Sequence, residues 1–258
     1  MSHYTLSDVQ DHVFTSKFLI KHPLISQCID GRYNQGDNQA CSIPGADGGQ
    51  LKVMIAVIKK LLGKEELDHA MMTKLTHILT NVVGGVKNLA FHTDTHALHD
   101  YGIGCGHLRL AKNKPDDYGL TDAEVQFVLD FMNESIKHGS TNIILDGHHG
   151  ERGVMIIDSA THSVYNKNKE GHQVFIFHKT CAENRNKIIA EKIIESLPGL
   201  QQGGLIDKDD LSEVVGMLNQ TMEEHLNTTV GELAKGLPIF LIEINENGEN
   251  ISQIGVVA

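Results

Sequence analysis

Cys28-Ile29-Asp30-Gly31-Arg32 sets a thiol, a carboxylate and a guanidinium two residues apart. A thiolate can serve as a soft metal ligand or a nucleophile. A neighbouring cation favours its deprotonated form, and a carboxylate within reach of an arginine stays ionised. A second concentration of chemistry runs from His92-Thr93-Asp94-Thr95-His96 through His99 to Gly104-Cys105-Gly106-His107, four histidines and one cysteine in sixteen residues. Cys28, His92 and Cys105 make a Cys₂His set that suits Zn²⁺ or a softer divalent ion and leaves a fourth position for water, the pattern of catalytic sites. A structural site closes with a fourth protein ligand, which His96 or His107 could supply. An ion with an open position acidifies its water to a hydroxide nucleophile, and Asp30, held by Arg32, is placed to orient it.

These residues need elements to carry them. The run Leu24-Ile25-Ser26-Gln27 reads as a short buried strand, and alternation directs Cys28, Asp30 and Arg32 to one side of the chain. Val86 to Phe91 reads as a second strand that delivers His92 at its C-terminal end. Between them, Cys41 to Gly49 contains Gly45, Gly48 and Gly49; this is either a flexible turn before a helix or a small-anion pocket, with backbone N–H groups at Gly45 and Ala46 facing the substrate. Leu51, Met54, Ile55, Ile58, Leu61 and Leu62 then repeat at helical spacing, as do Leu67, Met71, Leu75, Ile78 and Leu79.

Further along, Thr121-Asp122-Ala123-Glu124 is a capping box that opens a helix up to Gly139. The spacing predicts strands at Asn142–Leu145, Val154–Ile157, Val174–Phe177, Ile239–Ile244 and Ile251–Val257, and helices from about Ala182 and Asp207. Asn247-Gly248 signals a hairpin between the last two strands. Alternating strands and helices predict an α/β fold: a mostly parallel central sheet with flanking helices and a C-terminal antiparallel hairpin. Ligands in such folds bind beyond the carboxyl ends of the strands, where Cys28 and His92 would lie.

Across about residues 24 to 178 the chain resembles the zeta-class (cadmium) carbonic anhydrases and, more distantly, the beta class. The matching stretches are Cys28-Ile29-Asp30-Gly31-Arg32, Ile43-Pro44-Gly45, His92-Thr93-Asp94-Thr95-His96, Gly104-Cys105-Gly106 and His148-His149-Gly150. The resemblance implies a beta-carbonic-anhydrase-like fold, Cys28, His92 and Cys105 as ligands of zinc exchangeable with cadmium, and Asp30 with Arg32 as the dyad beside the metal-bound water. The implied reaction is reversible hydration of carbon dioxide to bicarbonate by a metal-bound hydroxide, with His96, His99 or His148 as proton-relay candidates. The same site would also serve hydrolysis of carbonyl sulfide or carbon disulfide, or metal and bicarbonate binding without turnover. The stretch from His92 to Cys105 is longer than the zeta-class pattern, so His92 and His96 compete for one ligand place. The tail after about Cys181 matches no motif and leaves oligomerisation, a lid or plain scaffold open.

Composition narrows the partners. A net charge of -11 over 258 residues repels phosphate backbones and anionic membranes, so a small-molecule substrate such as carbon dioxide or bicarbonate is expected rather than nucleic acid or membrane. No apolar run approaches the ~20 residues that span a bilayer, and Met1-Ser2-His3-Tyr4-Thr5 lacks the pattern of a signal peptide, so a cytoplasmic protein with its four cysteines reduced is expected. The length fits one domain, its core at about 24–178 and a helical and hairpin extension at about 181–258.

Overall fold

The computed structural model describes residues 3–4, 26–28, 41–83, 90–94, 105–139, 142–146, 152–157, 173–175, 179–197, 199–200, 206, 210–234, 238–245 and 248–257. Side-chain surroundings are defined for 43–81, 105–134, 182–197, 199–200, 206, 210–229 and 231–232. Helix α1 (Ala46–Leu62) is the axis of the packed region: every residue from Ala46 to Lys59 is buried. A helix apolar on all sides has to be enclosed on all sides. The enclosure comes from α2 (His69–Val83), α3 (Gly106–Asn113), α4 (Asp122–Gly139) and α6 (Leu211–Ala234), all of which pack on α1. Helix α5 (Lys179–Ser196) packs on α2 and α6. Gly63 ends α1 in the left-handed region at φ 60°, donating its N–H to the carbonyls of Lys59 and Lys60.

Strand segments form two separate sheets. β2 (Ser26–Cys28), β3 (Cys41–Ile43), β4 (Ala90–Asp94) and β5 (Asn142–Asp146) make a parallel sheet in the order β3-β2-β4-β5. β1 (His3–Tyr4), β6 (Arg152–Ile157), β7 (Gln173–Phe175), β8 (Pro238–Asn245) and β9 (Gly248–Val257) make the other, in the order β1-β9-β8-β6-β7, with β8 and β9 antiparallel.

The expected α/β architecture, one mostly parallel central sheet flanked by helices in the manner of beta carbonic anhydrases, is therefore corrected. The part of the chain with defined side chains is 85% helical. Among the residues with defined side chains, most of the core cluster lies on helices, joined by Ile43 of β3 and by residues of the connecting segments such as Leu67, Leu120 and Leu197. The reason lies in α1. Its apolar positions read as one stripe, yet Val53, Ala56 and Val57 on its other sides are 1%, 5% and 0% exposed, and even Lys52 is 1% exposed. One sheet face covers one stripe: β2 and β3 also lie against α1, and α2, α3, α4 and α6 close over the rest of its surface.

Candidate functional site

The glycines that precede α1 are fixed by what they touch. Gly45 adopts φ 74°, and Ala46 is also left-handed at φ 51°. A Cβ on Gly45 would lie 2.7 Å from Cδ2 of His107, one on Gly48 would lie 2.6 Å from Cγ of Met132, and one on Gly49 would lie 1.5 Å from the carbonyl oxygen of Pro44. The turn thus lets the first turn of α1 approach α3, α4 and its own preceding peptide closely. Asp47 in that first turn is 2% exposed and meets the fully buried Arg185 of α5, Nη2 to Oδ1 at 2.6 Å. One turn further on, Gln50 donates to Asn186 at 3.0 Å, which in turn donates to Asn219 at 2.9 Å, tying α1 to α5 and α6.

Beside this turn lies a cluster of buried titratable groups. Cys105, 2% exposed, is the N-cap residue of α3, and His107 two residues on is 3% exposed. His107 Nδ1 pairs with the hydroxyl of Thr229 on α6, and the Tyr118 hydroxyl lies 3.4 Å from the same oxygen. Thr229 donates to the carbonyl of His225 at 2.8 Å. The Tyr118 ring meets the rings of His107 and His225 edge to face, with centroids 5.6 Å and 5.1 Å away. Lys52 Nζ sits 3.4 Å from the centroid of the Tyr118 ring.

Among the described residues, Lys52 Nζ, His107 Nε2 and His225 Nδ1 have no hydrogen-bond partner. Burial sets their protonation. It drives the Lys52 amine well below the usual lysine range, with the thiolate form of Cys105 opposing that fall. Burial likewise drives His107 well below the usual imidazole value, helped by Lys52 and then His225. His225 follows the same way through burial, Lys52 and Lys60, while a backbone hydrogen bond at Tyr118 opposes the change. The Tyr118 phenol is pushed up to about 12, chiefly by burial, and remains a donor at neutral pH. A cleft of about 420 Å³, lined in part by Tyr118, Thr221 and His225, lies at the other side of this cluster; its three lysines, Lys59, Lys60 and Lys64, are matched there by Glu65, Asp117 and Glu224.

The sequence-predicted site residues distribute as follows. Cys28 is the last residue of β2, and His92 lies on β4, with backbone placed and side chains outside the described set. β2 and β4 are adjacent and parallel, with Gln27 opposite Ala90, so both residues stand at the C-terminal side of that pairing. β3 runs parallel on the other side of β2, with Ile43 opposite Cys28, and leads straight into Gly45 and Ala46. Contact between Gly45 and His107 brings the N-terminus of α3, and with it Cys105, to the same turn. Asp30, Arg32, His96, His99 and His148 lie outside the described residues. No group of three or more metal-binding side chains occurs among the described residues.

Sequence reasoning missed Lys52, Tyr118, His225 and Thr229. A signal for α6 was available: Thr221, His225 and Thr229 recur every four residues beside the apolar row Val214, Leu218, Met222 and Leu226, placing a polar stripe where a scaffold helix would be apolar. Comparison with protein families, curated proteins and solved structures finds no match for this chain.

Proposed function

We propose that this chain is a metal-dependent carbonic-anhydrase-like lyase that interconverts carbon dioxide and bicarbonate. The observation that supports the reading is the parallel pairing of β2 and β4 with Gln27 opposite Ala90, so that the backbones of Cys28, the last residue of β2, and of His92, midway along β4, both follow that pair. The turn beyond β3 touches α3 just past Cys105. Two thiolates and an imidazole form a donor set that fits zinc or cadmium. Cys105 fits a ligand's part, being buried as the N-cap residue of α3. When bound, the ion supplies Lewis acidity that lowers the pKa of a water.

The chain's own residues do the rest. Cys28, His92 and Cys105 would hold the ion. Asp30, kept ionised by Arg32, accepts a hydrogen bond and orients the nucleophilic water, while His96 and His148 carry the released proton outward. Gly45 and Ala46 present backbone to the anionic product. The net charge of -11 suits a small-molecule partner in the cytoplasm and disfavours nucleic acid or an anionic membrane, and the chain is free to form homo-oligomers. Among the described residues no helix is long and apolar enough to cross a membrane.

Stopped-flow carbon dioxide hydration on zinc-loaded and cadmium-loaded protein, with elemental analysis of the same samples, tests the reading. About one ion per chain and turnover above the metal-free control are expected. Metal-loaded protein inactive on carbon dioxide but active on carbonyl sulfide or carbon disulfide would move the substrate and keep the site. Bicarbonate or metal binding without any turnover would make it a binding protein. Failure to take up metal would end the proposal.

A further inference from the structure

We draw no further inference here: the strongest candidate, the cleft of about 420 Å³ between α1 and α6 that Tyr118, Thr221 and His225 help to line, carries nothing, because its lysines, Lys59, Lys60 and Lys64, are matched by Glu65, Asp117 and Glu224 and nothing in the structure shows what chemistry would fill it.

Discussion

Two clusters of buried polar side chains against α1 are treated in opposite ways. Near its C-terminus, Glu124 is fully buried and every oxygen is used: Oε2 accepts from Lys59 at 2.8 Å and from the N–H of Thr121 at 2.9 Å, and Oε1 accepts from the N–H of Leu67 at 3.0 Å. Lys59 also donates to the carbonyl of Gly119 at 3.1 Å. In the neighbouring cluster, Lys52, His107 and His225 crowd one tyrosine with three nitrogens that have no hydrogen-bond partner among the described residues. A buried polar group without a partner costs about 1–3 kcal/mol, and a fully satisfied one does not. The first arrangement holds α1, the α2 approach and the α4 cap together; the second gives stability away, as groups kept for a ligand or a proton do.

Breaking the satisfied cluster should have the largest effect. Glu124→Ala strips Lys59 of its counter-charge while leaving the amine buried, and removes the acceptor for two backbone N–H groups. A loss of about 3–5 kcal/mol in unfolding free energy is expected, read as a lower urea midpoint at unchanged m-value. A loss under about 1 kcal/mol would mean that Lys59 swings into the adjacent cleft and finds water.

In the other cluster the sign should reverse. Lys52→Met keeps an aliphatic stem against the Tyr118 ring and deletes an amine that has no hydrogen-bond acceptor. Two effects compete: relief of the unsatisfied donor, about 1–3 kcal/mol, and loss of a cation–π contact, about 2 kcal/mol when desolvated. Burial drives the amine towards its neutral form, which has no cation–π attraction to lose, so relief wins and the variant should be more stable. Destabilisation in the same urea experiment would show that Lys52 is charged and held by the ring.

The contrast also marks what the sequence could disclose. Thr121-Asp122-Ala123-Glu124 is legible because a capping box is local: the pairing that makes it, Glu124 N–H to Thr121 Oγ1 at 3.2 Å, spans three residues. The helices at Leu51–Leu62 and Leu67–Leu79 are legible for the same reason, since their periodicity is written into consecutive turns. The Lys52, His107 and His225 cluster joins α1, α3 and α6, and its key contact, His107 to Thr229, spans 122 residues. No spacing rule reaches that far. The architecture failed at a third point, where an apolar stripe predicts one covered face and cannot tell a helix lying on a sheet from one enclosed by helices.

The finest test of the comparison is pH, because a group held neutral by burial reports its environment through proton uptake. His225 is 4% exposed, and burial, then Lys52 and Lys60, hold its folded-state pKa well below the ordinary imidazole value. In the unfolded chain it titrates near ~6.5. Below that pH, down to the folded-state value, the unfolded chain binds a proton that the folded chain refuses. The contribution to stability is therefore complete above ~6.5 and is lost as pH falls through the window. Its neighbours do not reverse the sign: Lys52 and Lys60 oppose protonation, Tyr118 stays neutral there, and only the backbone hydrogen bond at Tyr118 favours the imidazolium. Urea midpoints at several pH values between 8 and 5 should fall more steeply for the parent than for His225→Phe. Parallel curves would mean that His225 takes its proton in the folded state as readily as in the unfolded one, and that the unsatisfied cluster is open to water after all.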